Sequence, residues 1–282
     1  MNTTRYYKVA EHVMAVKADE TVFSLLDNCL PFEVDPTPPL IQLDIRHDVP
    51  LPEEWTEEWR QTEEGDEIAC GHIADEPSFI FFSKGLTAGW MTCSTDYRHA
   101  RLSIMSIGKL AVDNAMMVSF ALATALKDTL LFHSSVVCRN GKAYMFLGPS
   151  GTGKSTHTRL WLKYIEGSRL LNDDNPVVRI GDDGKPVVYG SPWSGKTPCY
   201  LNEKYPLGGV VMLTQAPHNT IRQLQPIEAY AVMSSSVSGK RWDKSIADGL
   251  HHTLNILTQQ NISWYMECLP DEEAARITSS RI

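Results

Sequence analysis

A run of glycine and hydroxyl residues around Lys154 has the composition of a phosphate-binding loop. Glycines let backbone N–H groups turn toward phosphates, a lysine reaches the outer phosphate oxygens, and a hydroxyl ligates Mg²⁺. We expect a site for ATP and Mg²⁺, with Ser155 as one metal ligand. We name residues 148–156 the glycine loop; its expected ATP contacts are Gly148, Ser150, Gly151, Thr152, Gly153, Lys154, Ser155 and Thr156.

Two adjacent carboxylates lie downstream, and Asp173 follows Lys154 by 19 positions. Residues 169–172 have the pattern of a short strand that ends at Asp173 and Asp174. The spacing leaves room only for the helix after the loop and one return strand. The pair is therefore expected near the phosphates, where carboxylates suit a metal ligand and a base. The alternative is a solvated turn before Pro176.

A histidine precedes the loop in a predicted hairpin. Two apolar runs flank Asn140 and Gly141, a pair typical of a hairpin turn. His133 lies 15 positions before Gly148 at the start of this hairpin. The fold-back would bring His133 beside the phosphates, although a histidine on a strand is more often a hydrogen-bonded structural residue.

The order and spacing of these three features resemble a known family. His133 and Ser134, the glycine loop and residues 171–174 are similar to the catalytic domain of bacterial HPr serine kinase/phosphorylase. That family shares its nucleotide fold with ATP-dependent phosphoenolpyruvate carboxykinase. The resemblance spans roughly residues 130–195 and implies an α/β fold, with a P-loop catalytic domain built on a mixed sheet.

The resemblance also implies roles for individual residues. Lys154 would clamp the phosphates, and Ser155 would bind Mg²⁺. Asp173 would be the base on the acceptor hydroxyl, Asp174 a second metal ligand, and the two roles can be exchanged. His133 would contact the phosphates.

The chain departs from the family pattern at two places. Thr156 stands where the family loop ends in glutamate, and residues 189–198 replace the family's later signature. In that segment Lys196 is expected to offset charge on the transferring phosphoryl group. Trp193 either walls a substrate pocket or packs into the core. Residues 238–242 form either a basic helix start or a second cationic loop near the phosphates.

The predicted function is an ATP-dependent kinase that moves the γ-phosphoryl group to a hydroxyl. The acceptor stays open: a serine in a protein or peptide, or a small molecule. Two alternatives remain, a carboxykinase-type phosphotransfer enzyme and a protein that binds ATP as a sensor or assembly factor without turning it over.

Composition and charge fit this interpretation. The 282 residues are 43% hydrophobic and carry a net charge of −8, which argues against a general nucleic-acid or anionic-membrane binder. The net charge is −11 for residues 1–108 and +3 for residues 109–282. The six scattered cysteines indicate reduced thiols. Neither a leader nor a spanning segment is recognised, so a cytoplasmic location is expected. Because the kinases that the chain resembles commonly assemble, a homo-oligomer is expected as well.

Two regions are predicted along the chain. Residues 1–108 form a smaller β-rich region, with apolar runs at 7–16, 40–45, 79–82, 89–93 and 102–107. The acidic residues 53–67 are expected to be a solvated helix face or a loop. Residues 109–282 form the kinase-like α/β domain. It is expected to start with a helix at 113–128 capped by Asp113.

The remaining elements of the second region alternate between strand and helix patterns. Strands are predicted at 209–213, 220–224 and 262–267, and helices at 227–235, at 243–259 and from Asp271. Mixed strands and helices around a strand–loop–helix unit are typical of an α/β protein.

Overall fold

A computed structural model describes residues 2–105, 108–195, 197–260 and 262–282. The chain is mixed α/β, with two mixed sheets. It divides into two compact units, Met1–Ala123 and Thr124–Ile282. The boundary expected after residue 108 lies at the start of a helix that belongs almost wholly to the first unit.

The first unit is built on a sheet of nine strands with the order β3-β1-β2-β4-β9-β8-β7-β6-β5. Its elements are β1 Thr3–Val9, β2 His12–Ala18, α1 Glu20–Phe23, a 3₁₀ helix Asp27–Phe32, β3 Glu33–Val34, β4 Ile41–His47, β5 Trp55–Glu63, β6 Asp66–Ile73, β7 Glu76–Ser83, β8 Leu86–Cys93, β9 His99–Ile104 and α2 Gly108–Thr124. The β2–β4 and β4–β9 pairs are parallel, and the other neighbours are antiparallel.

Three expectations for the first unit are corrected. The run at 7–16 is a hairpin, because Ala10 and Glu11 turn the chain with positive φ. The acidic residues 53–67 are the strand β5 and the start of β6, so their charges lie on an exposed edge strand. Asp113 lies inside α2, where Asn28 donates to its carboxylate at 3.0 Å.

The second unit carries the other mixed sheet. Its elements are β10 Thr129–Leu131, β11 Ser134–Arg139, β12 Lys142–Leu147, α3 Lys154–Tyr164, β13 Arg169–Asp174, β14 Val177–Ile180, β15 Pro186–Tyr189, β16 Lys204–Gln215, β17 Thr220–Gln223, α4 Pro226–Ser235, α5 Lys244–Gln260, β18 Ser263–Cys268 and α6 Glu272–Arg281. The strands have the order β10-β14-β15-β16-β12-β11-β13, with β18 on β16 and β17 on β18.

Local sequence accounts for the elements around the glycine loop. Asn140 and Gly141, both with positive φ, turn β11 into antiparallel β12. A parallel neighbour, β16, covers the other side of β12 and buries it in the sheet. Helix α3 follows the loop, and Gly167 with φ +77° lets the chain return as β13.

The core of the second unit lies between the sheet and two helices. Phe146 of β12 and Trp161 of α3 are buried and pack edge to face, with their ring centroids 5.5 Å apart. The Trp161 indole Nε1 donates to Thr278 Oγ1 of α6 at 2.9 Å. Packing and this hydrogen bond hold α3, and with it the glycine loop, against the sheet.

Candidate functional site

The glycine loop connects the buried end of β12 to the start of α3, as the sequence predicts. Gly148, Gly151 and Gly153 have φ of +148°, +81° and +100°, a region that favours glycine. A Cβ on Gly148 would lie 2.5 Å from Thr152 Oγ1. Both the positive φ and the lack of space for a Cβ therefore require glycine at position 148.

Lys154 lies over the start of this loop. Its side chain is 8% exposed, and Nζ donates to the Gly148 carbonyl at 2.9 Å and to the Pro149 carbonyl at 3.3 Å. At the other end of the turn, Gln215 Nε2 donates to the Gly151 carbonyl at 3.0 Å. The ammonium group and the α3 N-terminus therefore lie on one short loop, an arrangement that favours anions.

The two aspartates lie at the same end of the sheet as the loop. Strand β11 separates β12 from β13, and Ser135 pairs with Phe146 on one side and with Asp173 on the other. Two inter-strand steps place the Asp173 backbone about 10 Å from that of Phe146. The sheet register therefore brings the predicted carboxylates beside the predicted loop.

Strand alternation assigns a face to Asp173. Directly opposed residues share a face, so Asp173 lies on the same face as Ser135. Ser135 Oγ and Thr158 Oγ1 of α3 form a buried hydrogen bond at 2.7 Å. Asp173, only 5% exposed, therefore lies on the α3 side of the sheet.

Asp174 differs from its neighbour in exposure and backbone. Its φ is +153°, an unusual value for a residue with a side chain, and such strain often occurs at functional sites. His133 Nε2 lies 3.6 Å from Asp174 Oδ1, and Asn175 Nδ2 donates to Asp174 Oδ2 at 2.7 Å. The histidine and the aspartate that the sequence predicted are thus adjacent.

A buried polar network holds residues 191–195 against the aspartates. Asn172 Nδ2 donates to Ser191 Oγ at 3.2 Å and to the Trp193 carbonyl at 3.1 Å. The Gly195 N–H donates to the Asp173 carbonyl at 2.6 Å. Asn172 and Ser191 were not predicted as site residues; the only signal was the polar Asn172 at a buried strand position.

The structure describes Trp193 but not Lys196, the other residue of this segment for which a role was predicted. Trp193 is 5% exposed, so it packs into the core and does not wall an open pocket. Lys196, the expected second cation, lies outside the described residues.

The basic segment 238–242 is a loop before α5 and does not start that helix. It follows Val237, which bridges Phe132, while the His133 N–H donates to the Ser236 carbonyl at 2.7 Å. The segment therefore begins beside His133. Lys240 within it is 7% exposed.

The donor set fits a magnesium ion held together with phosphates. In the described part of the chain, no group of three His, Cys, Asp or Glu side chains forms a metal cluster. Mg²⁺ commonly uses one or two protein ligands together with phosphate oxygens and water. Ser155 and Asp174, or Asp173 in its place, supply that kind of set.

Comparison with known proteins gives a distant likeness to solved structures. No protein-family profile matches the sequence, and no curated protein matches it. The Hpr(Ser) kinase/phosphatase from Coxiella burnetii is similar in structure, with 9% identity, a TM-score of 0.31, and coverage of 53% of this chain and 91% of that chain. A TM-score of this size supports no conclusion about activity, so the case for a function depends on the geometry of the site.

Proposed function

We propose that this protein is a Mg²⁺-dependent ATP phosphotransferase that acts on a hydroxyl acceptor. The observation that carries the proposal is the Phe146–Ser135–Asp173 register. In this register the carboxylate pair ends β13, two strands from β12, and β12 leads into the glycine loop that contains Lys154. Phosphoryl transfer depends mainly on positioning and on stabilising charge, and these groups suit both tasks.

Each residue has a role in the proposed reaction. Lys154 and the N–H groups of the glycine loop bind the phosphate oxygens and offset their charge. Ser155 and Asp174 would hold Mg²⁺, which would offset negative charge on the phosphates. Asp173 takes the proton from the acceptor hydroxyl. His133 orients Asp174 from 3.6 Å and contacts the phosphate side of the site.

The transfer balances without a further reactant. The acceptor oxygen forms a bond to the γ-phosphorus while the bond from that phosphorus to the β–γ bridging oxygen breaks. The acceptor proton goes to Asp173, and the products are the phosphorylated acceptor and ADP.

The experiment that tests the proposal follows labelled γ-phosphate. The full chain is incubated with Mg²⁺, ATP labelled at the γ-phosphate and a library of serine-containing peptides, with free serine in a parallel reaction. We expect label in acid-stable phosphoserine and none without Mg²⁺. Label on a carboxylate would support carboxykinase chemistry, and binding without any release of label would support a sensor; either result overturns the proposal.

A further inference from the structure

A cavity of about 560 Å³ opens beside the glycine loop, on the side away from the aspartates. One wall is formed by the loop at Thr152 and Gly153 and by the first turns of α3, including Leu160. The opposite wall is formed by Ala216, just after β16, and by Leu269, just after β18. Its volume lies within the range of ordinary small-molecule sites.

The chemistry of the walls is mostly apolar. Leu160, Ala216, Leu269 and Pro270 all line the space, and Leu269 is 38% exposed. Such walls suit a flat, weakly polar ring better than a phosphate. The cavity is therefore chemically distinct from the loop that it adjoins.

One buried polar group also borders the cavity. His157 is 2% exposed and lines the space, and its Nε2 lies 3.0 Å from Thr278 Oγ1. Its Nδ1 has no hydrogen-bond partner among the described residues. His157, together with Thr156 and Gln215, therefore gives the cavity a polar border beside its apolar walls.

The strand order relates the cavity to the aspartates. Across the sheet the order is β18, β16, β12, β11, β13, and the glycine loop leaves from β12 in the middle. The cavity lies at the ends of β16 and β18, whereas Asp173 and Asp174 lie at the end of β13. A molecule with its phosphates on the loop would thus have its terminal phosphate toward β13 and its other end toward β18.

We infer that this cavity holds the base and ribose of the nucleotide whose phosphates lie on the glycine loop. The inference rests on the proposed function, because it presumes phosphates on that loop. Leu160, Ala216 and Leu269 form the walls around the base. Contacts between these walls and the base make the nucleotide bind more tightly than its phosphates would alone.

The test compares ATP with inorganic tripolyphosphate, which has the phosphates but lacks the base and ribose. Calorimetric titration with Mg²⁺ is run on the full chain and on two cavity variants. Leu269→Asp places a charge on one wall, and Ala216→Phe fills the space. Leu162→Asp is the matched control, because Leu162 of α3 is 40% exposed and does not line the cavity.

We expect the unchanged chain to bind ATP at least about tenfold more tightly than tripolyphosphate. Each cavity variant should lose most of that preference by weakening ATP binding, with tripolyphosphate binding unchanged. Leu162→Asp should change neither affinity. One variant adds a charge and the other adds bulk. If one of them misfolds, the other still tests whether the cavity binds the base.

Failure of this inference is distinguishable from failure of the proposed function. If tripolyphosphate binds in a manner that needs Lys154, yet both cavity variants keep full ATP affinity, the cavity is not the base site and the proposed function stands. If ATP and tripolyphosphate both bind equally well to the Lys154→Met variant, or if neither binds the unchanged chain, both conclusions are overturned.

Discussion

At the scale of single residues, the two adjacent aspartates are unlike each other. Asp173 is 5% exposed and lies on the α3 side of the sheet, whereas Asp174 has a strained backbone and lies next to His133. Such a difference suits two separate tasks, proton acceptance and metal binding. Kinetic measurements can separate the two tasks.

The first prediction concerns these carboxylates. Asp173→Asn should lower kcat by about 100-fold or more, the scale of general-base catalysis, with little change in nucleotide affinity. Asp174→Asn should instead raise the Mg²⁺ concentration needed for half-maximal activity. Steady-state kinetics against Mg²⁺ measures both, with the exposed Asp182→Asn as control. If both site variants turn over normally, the assignment of the pair is wrong.

At the scale of elements, the glycine loop depends on backbone geometry more than on side chains. Gly148 combines φ of +148° with a Cβ position 2.5 Å from Thr152 Oγ1 and 3.2 Å from the Leu213 carbonyl. Gly141, in the β11–β12 turn, has φ of +74° and open space around its Cβ position. Alanine substitution at Gly141 should therefore show the cost of backbone strain alone, whereas substitution at Gly148 should add steric overlap.

The second prediction uses that pair. Gly141→Ala should cost only backbone strain, about 1–2 kcal/mol in the free energy of unfolding, and leave nucleotide binding intact. Gly148→Ala should add overlap, displace the loop and abolish binding. Urea denaturation and titration with Mg²⁺-ATP measure the two effects. Full binding by the Gly148→Ala variant would show that the loop geometry is not needed.

Elements whose structure is decided by local signals were predictable from the sequence. Asn140 and Gly141 specify their hairpin through turn chemistry, and Asp271 caps α6 by accepting from the Ala274 N–H at 2.9 Å. Elements whose ends are decided by tertiary contacts were not. Asp113 has the residue type of a helix cap, yet it lies within α2, where Lys109 and Asn28 contact it.

The site was predictable only in part for the same reason. The loop, His133 and the aspartates carry recognisable spacing along the chain. The Asn172–Ser191 hydrogen bond and the cavity between α3 and the ends of β16 and β18 depend on segments far apart in sequence. The acidic β5 was missed because an exposed strand with charges on both faces lacks the alternation that marks a strand.

At the scale of the whole molecule, one buried histidine links stability to pH. Burial lowers the pKa of His157 to about 4, from an ordinary value of 6.5. The unfolded chain therefore binds a proton between these values that the folded chain does not bind. The contribution of neutral His157 to the free energy of unfolding is therefore fully present above pH 6.5 and is lost as the pH falls toward 4.

The third prediction is the size of that loss. His157 should account for about 3 kcal/mol of the fall in the free energy of unfolding between pH 6.5 and pH 4. His157→Gln keeps a nitrogen donor for Thr278 but does not titrate, so its loss over this range should be smaller by that amount. Denaturant titrations at several pH values measure the difference. Equal losses in both proteins would mean that His157 is not the source.

Other properties of the whole molecule stay predictions. No helix in the described parts of the chain is long and apolar enough to cross a bilayer. The expected homo-oligomer is tested by light scattering of the full chain during gel filtration. A monomer at all concentrations would contradict it.

The central claim is that the glycine loop, Lys154 and Mg²⁺ together hold a nucleoside triphosphate. Calorimetric titration of a non-hydrolysable ATP analogue, with and without Mg²⁺, into the full chain and into Lys154→Met tests it most directly. Methionine fills the space of the lysine stem, so the variant removes mainly the charge. We predict one site per chain that needs Mg²⁺ and is weakened at least about tenfold by Lys154→Met. Binding of equal strength by both proteins, or by neither, would contradict the account.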